Sequence, residues 1–78
     1  MFINEIFDKK LKKPLEVKVS KTYIAENEDL ELYGEGDTES EAIEDFKVAV
    51  MDIYESSIIY DKYHLGKAYK NKFMEYFD

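Results

Sequence analysis

Thr38, with Glu41 three residues on and apolar residues recurring at three- and four-residue spacing beyond it, fixes a helix start that the rest of the chain must accommodate. In such a capping box the hydroxyl accepts from the Glu41 amide while the carboxylate reaches back to the Thr38 amide. Two donors that a helix end leaves orphaned are then satisfied. Ala42, Ile43, Phe46, Ala49, Val50, Ile53 and Tyr54 define one face of a helix over about residues 38–56, and that face needs a partner surface. Gly34 and Gly36 stand just before the cap. Their freedom of backbone angle suits a chain that leaves a strand and turns into a helix.

Residues 15–33 supply the surface. Leu15, Val17 and Val19 alternate with Glu16 and Lys18, the pattern of a strand with one buried face. Residues 22–26 are rich in β-formers and come after only Ser20 and Lys21, a hairpin spacing. Asn27, Glu28 and Asp29 make a second turn, because Asn and Asp side chains bond neighbouring backbone. Leu30 and Leu32 then alternate with Glu31 and Tyr33 up to Gly34. The expected fold class is therefore α+β: a three-stranded antiparallel meander, with Leu15, Val17, Val19, Leu30 and Leu32 inward, covered by the long helix. Such a sheet does not stand alone.

Both flanks are less determined. Phe2, Ile3, Ile6 and Phe7 fit a helical turn or a short strand equally, and Pro14 sets an extended entry to the strand at 15–19. Lys9, Lys10, Lys12 and Lys13 read as a solvated basic loop. Residues 56–60 fit a continuation of the long helix to near Tyr60, the expected course, or a further strand, since Ser56 and Ser57 weaken helix while Ile58, Ile59 and Tyr60 favour strand. Beyond them Tyr63, Leu65, Ala68, Tyr69, Phe73 and Tyr76 form a second helical stripe. Tyr63, Tyr69, Phe73 and Tyr76, with Phe77 beside them, are more aromatic surface than so small a core requires. Two outcomes stay open: a seam between copies giving a dimer or higher homo-oligomer, or a terminal helix docked on its own domain.

At 78 residues the chain forms one domain, residues 1–78, and the absence of cysteine leaves packing alone to hold it. The net charge of -7 is segregated: residues 26–45 hold ten acids and no lysine, and the remainder holds eight acids against all eleven lysines. A partner with a basic surface is expected at the acidic end, with Glu26, Glu28, Asp29, Glu31, Tyr33, Glu35 and Asp37 as the binding residues. Competing local reasons exist. Acids keep small proteins soluble, and Glu39, Glu41, Glu44 and Asp45 suit the positive end of the helix dipole. All basic residues are lysines, which argues against direct DNA reading, where arginine forks dominate. No apolar run approaches the roughly 18 residues of a membrane span, and the chain start has no signal-peptide pattern, so a cytoplasmic protein is expected.

No catalytic, metal or cofactor site is expected. His64 is the only histidine, and its neighbours Leu65 and Gly66 give no ligand spacing. The adjacent carboxylates Glu28 and Asp29, or Glu44 and Asp45, lack the ordered spacing of a calcium loop. Gly34 and Gly36 are too few for a dinucleotide fingerprint. Binding, rather than catalysis, is the expected function.

The paired strands at 15–19 and 22–26, the approach Asn27-Glu28-Asp29-Leu30 and the run Gly36-Asp37-Thr38-Glu39-Ser40-Glu41-Ala42-Ile43 together resemble the N-terminal domain of the HicB-like antitoxins. That family's strand-strand-strand-helix unit often carries Gly-Asp-Thr-x-x-Glu-Ala at this place, and the resemblance covers roughly residues 15–55. It implies a partly open ferredoxin-like or double-stranded-RNA-binding-like fold, and a role in neutralising a small basic RNA-cleaving toxin. Two other functions compete with that one: an orphan module of the same fold that self-associates through the aromatic tail, and a single-strand nucleic-acid binder using Lys62, Lys67, Lys70 and Lys72 with the interleaved tyrosines.

Overall fold

The computed structural model describes residues 1–59 and 66–77. The expected helix end at Tyr60, together with Lys62, Tyr63, His64 and Leu65, lies outside the described residues. Among the described residues the chain runs through five strands, β1 (Phe2–Ile6), β2 (Lys9–Glu16), β3 (Lys18–Val19), β4 (Ile24–Asn27) and β5 (Leu32–Glu35). Two helices come next, α1 (Glu39–Ile53) and α2 (Lys67–Met74), with a π-type turn, Tyr54–Ile59, continuing from α1. It is an α+β fold in which the long helix comes after the strands, and the meander β3-β4-β5 is antiparallel.

The N-terminal segment is a hairpin. β1 and β2 pair antiparallel from Ile6 opposite Lys9 to Phe2 opposite Glu16, around a turn at Phe7 and Asp8 in which Phe7 has φ 54°. Between Ile3 and Glu5 the register breaks, so that Asn4 faces the longer excursion carrying Pro14. Proline has no amide to give a ladder, and a bulged outer strand is where a sheet tolerates it. The lysines read as a loop therefore lie on β2. The strand expected at 15–19 does exist, but it serves two sheets. Leu15 and Glu16 pair with β1, Val17 exchanges backbone bonds with Met1 at 2.7 and 2.9 Å, and Lys18 and Val19 pair with β4. Its alternation survives the handover: Leu15 and Val17 are buried, while Glu16 and Lys18 are exposed.

β4 and β5 each begin two residues later than the hydrophobic pattern predicts. Tyr23 (φ 57°) and Glu31 (φ 53°) take left-handed backbone angles that no ladder accommodates. Asn27 explains the second delay, since its Oδ1 accepts from the Leu30 amide at 2.8 Å while its Nδ2 donates to the Glu16 carbonyl at 2.7 Å. Leu30 therefore enters the core from a turn rather than from a strand.

α1 lies chiefly across β5, with β4 alongside, and buries Ala42, Phe46 and Val50 fully, with Ile43, Met51 and Ile53 on its flanks. Each large side chain so buried contributes about 1.5–3 kcal/mol, most of it offset by chain entropy. Neither Gly34 nor Gly36 adopts a positive φ, so the expected role in backbone freedom is not theirs. Their role is closeness. A Cβ on Gly34 would stand 2.6 Å from the Phe46 Cα, inside the helix backbone, and one on Gly36 would stand 2.8 Å from the Ala42 amide nitrogen. The cap forms with one change. Thr38 Oγ1 accepts from the Glu41 amide at 3.1 Å, but the Glu41 carboxylate accepts from the Asp37 amide at 3.1 Å rather than from that of Thr38.

The C-terminal segment closes the core from the other end. Phe73 and Phe77 stack at 5.0 Å, and Phe77 meets Tyr54 at 4.7 Å. These rings join Ile3, Ile6 and Leu15 of the hairpin in the same buried cluster.

Candidate functional site

Strand alternation divides the acids. On the helix side, the cross-strand row Val19, Ala25 and Gly34 lies under α1. On the opposite side, which no helix covers among the described residues, the row Lys18, Glu26 and Tyr33 runs across all three strands, with Glu35 two pairs further on beside Ile24. Phe2 and Glu16 extend that face along the hairpin. Tyr33 and Phe2 are each 63% exposed, so two aromatic rings stand at the two ends of a carboxylate-bearing row.

The candidate residues named from sequence fall into three groups. Glu26, Glu28, Glu31 and Tyr33 line one shallow hollow of about 390 Å³ at the β4–β5 turn, and these are brought together. Glu35 has the same strand parity at the far end of β5, but at this edge it lines a separate hollow with Glu41, Glu44 and Asp45 of α1. Asp37 does not join them, and Asp29 lines the adjoining cleft with Glu26 and Glu28. The Tyr76 hydroxyl donates to Asp29 Oδ2 at 3.1 Å, and Asp37 lies past the strand at the helix entrance, its amide held by Glu41. A second cleft, of about 330 Å³, adjoins the first and adds Phe2, Glu16 and Lys18, none of them named from sequence. The outward parity of Glu16 and Lys18 was readable from the alternation. Phe2 required the hairpin register, for which the sequence carries no turn signal.

Little neutralises this face. Lys18 Nζ lies 3.5 Å from Glu28, with both side chains largely in solvent, and such a pair is worth little. Lys13, at the border of the second cleft, is engaged elsewhere: its Nζ lies 2.9 Å from Glu75 and 4.6 Å from the Tyr76 ring centre. The hydrogen bond to Glu75 raises its pKa. Glu26 and Glu31 have no basic partner among the described residues.

The residues expected to form a seam between copies are turned inward. Phe73 is fully buried and Tyr76 nearly so, while Tyr69 is half-buried with its hydroxyl donating to the Leu30 carbonyl at 2.6 Å. Burial pushes the Tyr69 phenol above its ordinary range, helped by Glu31; burial and the Asp29 hydrogen bond do the same for Tyr76. These three side chains pack into their own domain, in or against the buried cluster that also holds Tyr54 and Phe77. Tyr63 lies outside the described residues. Tyr76, nearly fully buried, offers little ring face for a base to stack on beside Lys67, Lys70 and Lys72.

Compared with protein-family models, curated proteins and solved structures, the chain gives no match. The site is therefore read from its own geometry. Among the described residues no three His, Asp or Glu side chains stand close enough to hold a metal ion, and no helix is long and apolar enough to cross a membrane.

Proposed function

We propose that the protein is an antitoxin-like binding module that covers a small basic protein, such as an RNA-cleaving toxin, with the open face of its sheet, and that it works by binding rather than catalysis. The observation that carries this reading is the placement of Glu26, Glu28 and Glu31 around exposed Tyr33, on the side of the sheet that α1 leaves free. Interfaces draw their energy from a few aromatic anchors ringed by polar groups, and carboxylates without basic partners steer a cationic surface to them. Phe2 and Tyr33 are suited to be the anchors. The family resemblance of the Gly36–Ile43 run supports the toxin as the class of partner.

The test is purification of the tagged protein from its own cell, comparing the natural chain with a Glu26→Lys, Glu31→Lys, Glu35→Lys triple variant. Asp29 and Glu28 are left intact, because they hold Tyr76 and Lys18. The natural chain is expected to bring down a basic protein that the variant, still helical by circular dichroism, releases. A basic partner retained by the variant contradicts the reading.

A further inference from the structure

The free side of β5 indicates how such a partner is held. In an antiparallel ladder, successive residues point their N–H and C=O first toward one neighbour and then away from it. Gly36 donates inward, to the Tyr23 carbonyl at 3.2 Å, and Glu35 points outward, where Asp45 Oδ2 takes its amide at 2.9 Å. The same alternation points Gly34 inward, opposite Ala25, and the Tyr33 N–H and C=O outward. β5 is the last strand of its sheet, and no strand among the described residues pairs with its outer side.

Acids flank that edge on both sides. Glu31 and Tyr33 border it at the β4–β5 turn, and a hollow of about 420 Å³ on the helix side is lined by Glu35, Glu41, Glu44, Asp45 and exposed Val48. We propose, resting on the partner-binding reading above, that the β5 edge accepts an extended, lysine- or arginine-bearing segment of the partner protein as an added strand. Strand addition takes its affinity from main-chain bonds and its specificity from alternate side chains. Whichever parity carries the basic residues, they meet carboxylates, and the other parity meets Tyr33 or Val48. A second copy of this chain is the wrong occupant, since pairing β5 with β5 brings the acids Glu31, Glu35 and Glu44 of one copy against the same acidic set of the other. Asp45 bounds the pairing by occupying the Glu35 amide, so the added strand is anchored at Tyr33.

The probe is a blocked peptide of alternating lysine and valine, of about six residues, the usual strand length. It is compared with the same peptide N-methylated at every second residue, which keeps the charge and loses the backbone donors. The first peptide is expected to slow hydrogen exchange at the Tyr33 amide. N-methylation is expected to weaken binding by about tenfold or more, as the loss of backbone hydrogen bonds requires. Glu35→Lys with Glu44→Lys is expected to weaken the parent peptide comparably, and Asp45→Ala, which frees the Glu35 amide, to strengthen it. Equal binding of the two peptides, or a Tyr33 amide that exchanges as fast with peptide as without, overturns the strand and leaves charge attraction alone. The two readings fail separately. A natural partner released by the charge-reversed triple variant but leaving the Tyr33 amide unprotected keeps the function and ends the strand; a natural partner indifferent to that triple ends the function itself.

Discussion

At the scale of single residues, the two positions that matter most to the fold are Gly34 and Asn27, and they differ in how far sequence reveals them. The glycine was visible as a glycine before a helix cap, but its reason was not. A local reading assigns it a turn, whereas the helix backbone lies directly on it and leaves no room for a Cβ. Gly34→Ala is therefore expected to force α1 away from β5 and to cost about 3 kcal/mol or somewhat more, the upper range for overpacking; urea unfolding measures it, and a neutral result would place α1 further from the sheet. Asn27 was legible as a turn former, and its bond to the Leu30 amide is that prediction realised. Its second bond, to the Glu16 carbonyl, links residues eleven apart and has no local signal. Asn27→Ala leaves both partners without the side chain and is expected to cost about 1–3 kcal/mol.

At the scale of elements, the C-terminal segment is held to β2 and to the β4–β5 turn by separate devices. The Lys12 amide donates to the Tyr76 carbonyl at 2.8 Å, Lys13 bonds Glu75, and the Tyr69 and Tyr76 hydroxyls reach Leu30 and Asp29. The two phenols make this docking sensitive to alkali. Both titrate higher in the folded chain than in an unfolded one, so the folded state keeps protons that the unfolded state gives up first. Their contribution is whole below the ordinary tyrosine pKa of about 10 and is lost as pH rises through the raised folded values. Thermal unfolding followed by circular dichroism should show a stability that declines only above a pH of about 10; no decline there would mean that these hydroxyls titrate as if free.

The N-terminal hairpin and this docking are the parts of the fold least legible in the sequence, and for one reason. Phe2, Ile3 and Ile6 satisfy a helical turn and a strand alike, and only pairing with a segment beyond Pro14 separates the two. Aromatic excess in residues 66–77 likewise marks burial without saying whether the buried surface lies within one chain or between two. The central meander and α1 were legible because their signals, two-residue alternation and the Thr38 cap, are local.

At the scale of the whole molecule, the layering gives the acidic stretch its direction. Its carboxylates divide between the open face of the sheet and the first turns of α1, and β5 runs between the two sets. The outward parity of Tyr33 was readable from the alternation, whereas that of Glu26 and Glu35 required the register of β4 and β5, and the bond from Tyr76 to Asp29 joins residues 47 apart. Because the open-face acids have few basic partners, partner binding is expected to weaken steeply with added salt, as exposed charge pairs are screened over about 10 Å at 0.1 M. The most direct test of the acidic-face model is chemical-shift mapping of the isotopically labelled chain in complex with the basic protein that co-purifies with it. The largest changes are expected on Glu26, Glu31, Tyr33 and Glu35, with Lys67, Lys70 and Lys72 unmoved; changes centred on the outer side of α2, with the sheet face silent, would contradict it.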